Sequence, residues 1–565
     1  MAGGNRPNTS RSDRGALAEP RPTTGDVVAA FLEACGVTAA FGVISVHNMA
    51  ILDAIGRRGR LRFVPSRGEA GAVNMADGHA RVRDSLGVAV TSTGTGCGNA
   101  AGALVEARSA ETPLLHLTGQ VDTPHLDRGH GFIHETEGQL ELLAAISKAA
   151  YRVTEPGTCA DVLRKAVTVA LTPPRGPVSV EIPADVQAGP ARLPDDFSAP
   201  RVRTPRPDAD ELDRLAERLA AARRPLLWLG GGARHAGPGA RRLADLGVGI
   251  VTSVRGRGVV PEDHPLSLGA FNQSPDVEAF YSTSDLMLVV GSRLRSNDTR
   301  TYRLKLPAPL LRVDVDPAAR GRLAYPVDGF VPGDAAAVLD GLADRLAGAF
   351  EPDPAFANDL RRARDAAQAR LRSAVAPYDG LADALAAAMG RDALWVRDIT
   401  VANSTWGNRL VKVHTPRNAL HPAGGGIGQG LALAIGAAVG APERKVVCLT
   451  GDGGLMLNPG ELMTAVETGV DLALVVMNDR GYGVIRNIQD AEYGGRRRFV
   501  DLATPDFAAL AAACGLDYRR IAASAGFESG VDEAFARPGP VLIEIDMTAI
   551  GPMKVPFAGP AGGRR

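Results

Sequence analysis

The sequence predicts an α/β chain of three doubly wound parallel-sheet domains. Three observations carry this prediction. Short apolar runs alternate with helical patterns from about residue 23 to 550. Several of these runs end in a Gly or Asp turn, as a strand does where it feeds a crossover helix. Two stretches divide the pattern into thirds: residues 188–208, rich in Pro, Arg and Asp, read as a linker, and residues 354–374, which read as a charged helical connection.

In chain order, residues 1–22 are polar, carry no apolar signal core and read as a disordered tail. The first domain, 23–187, opens with a helix over 26–35. Strands follow over 39–41, 63–65, 88–91 and 114–118, and 178–182 closes it. The central domain, 209–348, contains PLLWLGGGAR, LMLVVGSRL and LLRVDVDP, each a strand running into a Gly or Asp turn. GGGAR (230–234) is short of a full GxGxxG, so a plain strand-to-helix turn is preferred over dinucleotide binding. The third domain, 378–550, holds a strand ending at Gly451-Asp452-Gly453, a helix over 461–468 and a strand over 472–477 that ends at Asn478-Asp479-Arg480-Gly481.

Composition excludes some classes. Hydrophobic residues make up 45% and charged residues 22% of 565, as in globular proteins. Lys+Arg and Asp+Glu are both 63, which argues against nucleic-acid binding by bulk charge. No apolar run reaches membrane-spanning length. The five cysteines are scattered with no CxxC, which points to a reduced, cytoplasmic compartment.

Residues 445–486 carry the chemistry. Two strand ends each present a hard oxygen ligand beside glycines, a geometry suited to a Mg²⁺ ion that carries a diphosphate. Gly453 and Gly454 can offer backbone N–H groups to phosphate oxygens.

The segment resembles the signature of thiamine diphosphate enzymes, in which GDG is followed after some 25 residues by NN. Here GDG is 451–453, and Asp479 stands where the family usually has its second Asn. The three-domain layout is similar to the decarboxylase and acetolactate synthase group over nearly all of 23–550. It implies a pyrimidine-binding domain, a central Rossmann-like domain and a diphosphate-binding domain. By this resemblance the Mg²⁺ ligands are Asp452, Asp479 and the carbonyl of Gly481. SRGEAGAVNMADGHARV aligns Glu69 with the family's catalytic Glu, which sets the tautomer of the aminopyrimidine. Gly68 replaces the usual preceding His, while Ala76-Asp77-Gly78 and Ala80-Arg81 fit. In LHPAGGGIGQG (420–430), Ile427 corresponds to the apolar residue beneath the bent cofactor, and the Gly425 carbonyl to the acceptor for the 4′-amino group. Thr400 and Asn403, at a strand end, are diphosphate candidates. The resemblance further implies a homodimer or homotetramer whose site lies between the first domain of one subunit and the third of another.

The substrate side is drawn from the loops. His47 follows the first strand, where the family borders its substrate. His134 lies in GHGFIHETEGQ, near a position where relatives carry a substrate-contacting Gln. Either His could move protons on the reacting carbon. A synthase needs a basic residue in the central domain to orient a second 2-oxo acid, and Arg255, Arg257, Arg293, Arg295 and Arg300 are candidates. The favoured expectation is 2-oxo acid decarboxylation followed by ligation to a second carbonyl, as in acetolactate synthase. A decarboxylase releasing an aldehyde is the alternative, and the HET segment looks like branches that take guanidino or other polar 2-oxo acids. A non-catalytic cofactor-binding homologue is a remoter one. Some members of the group hold FAD against the central domain and others hold nothing there, so FAD stays open.

Overall fold

The computed structural model describes residues 21–557, except 196, together with 559. All but the last two residues of the predicted tail lie outside the described residues. Three parallel sheets are present. The first contains β1 (Ala39–Gly42), β2 (Arg62–Pro65), β3 (Gly87–Thr91), β4 (Leu114–Gln120), β5 (Ala149–Arg152) and β6 (Pro177–Pro183), in the order β2-β1-β3-β4-β6-β5. The second contains β7 (Pro225–Leu229), β8 (Gly249–Thr252), β9 (Leu286–Val290), β10 (Leu310–Asp314) and β11 (Gly329–Pro332), in the order β11-β10-β9-β7-β8. The third contains β12 (Leu394–Arg397), β13 (Ala419–Leu420), β14 (Val446–Gly451), β15 (Leu472–Asn478), β16 (Asp517–Ile521) and β17 (Val541–Asp546), in the order β13-β12-β14-β15-β17-β16. Renumbered from one, the first and third sheets share a single strand order.

Central strands such as β3, β4 and β15 are buried along their whole length, because helices cover both faces of a parallel sheet. That is why β3 and β15 read as nearly unbroken apolar runs. Of the edge strands, β5, β11, β13 and β16 are not announced by that pattern. β16, DYRRI, is mostly exposed and has one neighbour only. A strand paired on one side needs little apolar surface.

The first and third domains share a core. Ala72, Val73, Met75 and Ala76 from the helix Glu69–Arg83 pack with Leu431, Leu433, Ala434 and Ile435 from the helix Gly430–Gly440. Glycines set the separation of the two helices. A Cβ on Gly78 would lie 2.2 Å from the Leu433 carbonyl oxygen, and one on Gly436 would lie 1.9 Å from that of Met75. Backbone cannot yield as a side-chain tip can. Gly436→Ala is therefore expected to cost about 3 kcal/mol, the upper end of ordinary overpacking. Urea denaturation with the domain signals followed separately would check it; an unchanged midpoint would show that the helices separate freely.

Candidate active site

In doubly wound sheets, ligands bind beyond the carboxyl ends of strands where the strand order reverses. Here the reversal falls between β1 and β3, and between β12 and β14. His47 follows β1, Thr400 and Asn403 follow β12, and Asp452 follows β14.

β14 and β15 pair in register with Gly451 opposite Met477, so Asp452 and Asp479 leave neighbouring strand ends. Asp452 is 1% exposed, and neither carboxylate oxygen has a hydrogen-bond partner among the described residues. Burial pushes both carboxyls upward, and the charge of Asp452 raises Asp479 further. Arg486 opposes this in part: it lies 3.6 Å from Asp479, and its other nitrogen is 3.0 Å from Asp501. A buried carboxylate with no partner, beside a second one, is a fitting seat for a divalent cation. No cluster of three or more His, Cys, Asp or Glu able to hold a metal exists among the described residues. Further ligands therefore have to be backbone carbonyls, such as that of Gly481, or oxygens of a cofactor. Gly481 pairs with Asp501, and a Cβ there would meet the Val500 carbonyl at 2.2 Å.

The neighbouring turns are closely packed. A Cβ on Gly453 would lie 2.9 Å from the Tyr482 ring, and one on Gly454 would lie 3.2 Å from Asp398 Oδ2. Thr400 sits against Gly451, and its Oγ1 accepts from the Asn403 N–H at 2.9 Å. Asn403 begins a single π-helical turn, Asn403–Gly407, and its Oδ1 is buried without a partner.

Asp398 was not singled out from the sequence. It is buried just after β12, accepts from the N–H of Gly428 at 2.9 Å and of Ile399 at 2.7 Å, and desolvation pushes its carboxyl up to about 6. It anchors one end of the Gly-rich loop. In that loop Gly425 has φ +95° and Gly428 φ +79°, conformations that favour glycine. Ile427 is 39% exposed. A large aliphatic side chain left uncovered at the end of such a loop does not serve core packing within one chain.

In the first domain, Glu69 opens its helix after an extended Gly68. Its Oε2 accepts from Asn99 Nδ2 at 3.1 Å, and a Cβ on Gly96 would lie 2.9 Å from its Oε1. No hydrogen bond or ion pair among the described residues joins Glu69 to Asp452 or Asp479 within one chain. The structure does bring His47 and His134 together, edge to face with ring centroids 5.2 Å apart. His47 is buried with Nδ1 unpartnered, and burial together with His134 pushes its imidazole down. His134 is exposed at φ +65° on a loop that Glu135 gathers, accepting from the N–H groups of Gly129 at 2.8 Å and Phe132 at 3.0 Å. Glu135 thus serves the loop's backbone.

The five central-domain arginines are all engaged. Arg255 donates to the carbonyls of Ser109 and Ala110, and Arg295 to those of Ser109 and Ala423, both at 2.8 Å. Arg257 pairs with Glu262 at 2.6 Å, Arg293 with Glu111 at 2.5 Å, and Arg300 with Glu278. The glycines of GGGAR serve packing: a Cβ on Gly230 would lie 2.2 Å from the Gly291 carbonyl oxygen. Next to them a cavity of about 540 Å³ opens at the ends of β7, β9 and β10.

Two matched strand-order reversals, a buried unpartnered carboxylate and a glycine loop bearing an uncovered Ile define a cofactor-dependent α/β enzyme. The chain belongs to the thiamine pyrophosphate enzyme family. Residues 22–142 match its N-terminal TPP binding domain, 212–342 its central domain and 400–545 its C-terminal TPP binding domain. Among relatives, the probable 2-ketoarginine decarboxylase of Pseudomonas aeruginosa is 35% identical, over 93% of this chain and 94% of that one. The acetolactate synthase isozyme 1 large subunit of Escherichia coli is 28% identical over 95% and 97%. Acetolactate synthase 1, chloroplastic, of Nicotiana tabacum is 28% identical over 93% and 82%. The chain is thus a thiamine diphosphate-dependent enzyme that converts a 2-oxo acid. No helix among the described residues is long and apolar enough to cross a membrane.

Proposed function

We propose that the chain decarboxylates a 2-oxo acid with a cationic side chain, of the 2-ketoarginine type, and releases the aldehyde. The observation that carries this reading is that Arg255, Arg257, Arg295 and Arg300 are committed to partners within the chain, with Arg293 in a surface pair with Glu111, which disfavours a site for a second 2-oxo acid. The full-length similarity to a 2-ketoarginine decarboxylase supports it. Ligation to a second carbonyl is the second reading, supported by the full-length similarity to synthase large subunits.

When bound, thiamine diphosphate would supply an ionisable carbon as nucleophile and a sink for the electrons of the departing carboxylate. The protein's residues do the rest. Glu69 would hold a proton at the aminopyrimidine ring, Ile427 would support the cofactor, and the Gly425 carbonyl would accept from its amino group. Asp452, Asp479 and the Gly481 carbonyl hold Mg²⁺; the unpartnered oxygens of Asp452 support this assignment. Thr400, Asn403, Gly453 and Gly454 line the diphosphate end. His47, kept towards its neutral form, and His134 carry the proton that replaces CO₂.

The site is completed by a second subunit in this reading. Ile44, Val46 and Met49 beside His47, Ile133 beside His134, and Met456 and Leu457 beside the metal loop are all exposed apolar side chains in one chain. The five cysteines are free, which supports the reduced, cytoplasmic compartment. FAD stays open: Gly230 packs against the Gly291 carbonyl while Gly231 and Gly232 line the neighbouring cavity, and a yellow purified protein would report the cofactor.

The test is incubation with thiamine diphosphate, Mg²⁺ and a panel of 2-oxo acids, following CO₂ and products. CO₂ and aldehyde in equal amounts from 2-ketoarginine, with little from pyruvate, is the expected result. Acetolactate from pyruvate would select the second reading. A sample that binds the cofactor and turns over no 2-oxo acid would refute both.

A further inference from the structure

The geometry points to Glu106 as the residue that aims the Gly425 carbonyl into the cofactor cleft. Glu106 lies in the first domain, on the helix Thr95–Ala110, and is 5% exposed. Its two oxygens are divided between two amides of the third domain: Oε2 accepts from the Gly424 N–H at 2.6 Å and Oε1 from the Gly426 N–H at 2.7 Å. These amides flank Gly425, which stands at φ +95° with nothing near the position a Cβ would take. Packing therefore does not fix Gly425, and its orientation comes from its neighbours.

The peptide bond supplies the link. The Gly426 N–H and the Gly425 C=O belong to one planar unit, and in a trans peptide they point in opposite directions. Drawing the N–H onto Glu106 turns the carbonyl away from the first-domain helix. Short charge-assisted bonds hold that plane more firmly than neutral ones. The loop approaches closely at both contacts: the position of a Cβ on Gly424 is 2.6 Å from Glu106 Oε1, and that of one on Gly426 is 3.1 Å from the same oxygen. Arg295 secures the approach by bridging the Ala423 carbonyl to that of Ser109, on the same helix as Glu106. Asp398 holds the far end at Gly428. Glu106 is thus a positioning residue acting through the backbone.

This inference rests on the assignment of Gly425 and Glu69 to the aminopyrimidine, and not on which 2-oxo acid is used. The test is the deuterium exchange rate at C2 of thiamine diphosphate bound with Mg²⁺, measured by quenched-flow NMR without substrate, alongside melting of the cofactor-free protein. Glu106→Gln keeps the side chain's size but sets an amide N–H against a backbone N–H. It is expected to slow exchange by about 10²-fold, the effect of an ångström-scale misplacement, and to lower the cofactor-free melting temperature as well, because a buried N–H loses its acceptor. Wild-type exchange in a folded E106Q would overturn the inference, whatever its stability. Should E106Q not fold, the charge-retaining Glu106→Asp is read in its place: slowed exchange supports the role and wild-type exchange overturns it. Glu69→Gln is the control, because unslowed exchange there would sink the underlying assignment.

Discussion

Glu69→Gln is expected to lower kcat/KM by about 10²–10⁴, the range lost with a positioned acid–base group. The substitution keeps the side chain's volume and leaves an oxygen to accept from Asn99 Nδ2, now 3.1 Å from the carboxylate. Gly96, whose absent side chain makes room for Oε1, is untouched. Folding and cofactor affinity should therefore change little, and the loss should fall on kcat and on C2 exchange. The measurement is steady-state decarboxylation by wild type and variant saturated with thiamine diphosphate and Mg²⁺. A variant with near-normal kcat would remove Glu69 from the proton relay.

The second large effect concerns the metal end. Wild-type protein at about 100 times the cofactor's Kd should gain about 2.7 kcal/mol from thiamine diphosphate with Mg²⁺. Asp452→Asn should lose most of that gain. The cofactor-free variant should be at least as stable as the wild type, because the carboxylate removed is buried and unpartnered. Paired thermal melts with and without cofactor separate the two effects. An undiminished gain in D452N would mean that Asp452 is not a ligand. Asp479→Asn restores the family's usual residue and should keep the gain, because an amide oxygen can still reach the metal.

Parts of the site were legible because their chemistry shows in the letters. Asp452 and Asp479 follow apolar strands and sit beside glycines, so their place at strand ends could be read directly. Glu69 was found through the pattern around it. His47 and His134 were read from separate loops; that their rings meet is a tertiary fact, since the chain between them forms β2, β3 and β4 first. Glu106 and Asp398 gave no signal. A carboxylate on a helix, or after a strand, is ordinary in sequence, and each acts on backbone N–H groups that have no letter of their own. The central-domain arginines show the reverse. Their spacing suggested a substrate-orienting group, but their partners, Glu111, Ser109, Ala110 and Ala423 among them, come from other domains.

By itself the sequence determined the class of fold, through apolar runs that must be covered on both faces. It also pointed to a metal and diphosphate seat, through oxygen ligands beside glycines, and to the cofactor through the resemblance of that segment and of the stretch around Glu69 to the thiamine diphosphate family. Only the tertiary structure decided which charges are spent on holding the protein together and which remain for substrate. A charged side chain is free or engaged according to what lies within about 3 Å of it, and that is set by the packing of distant segments.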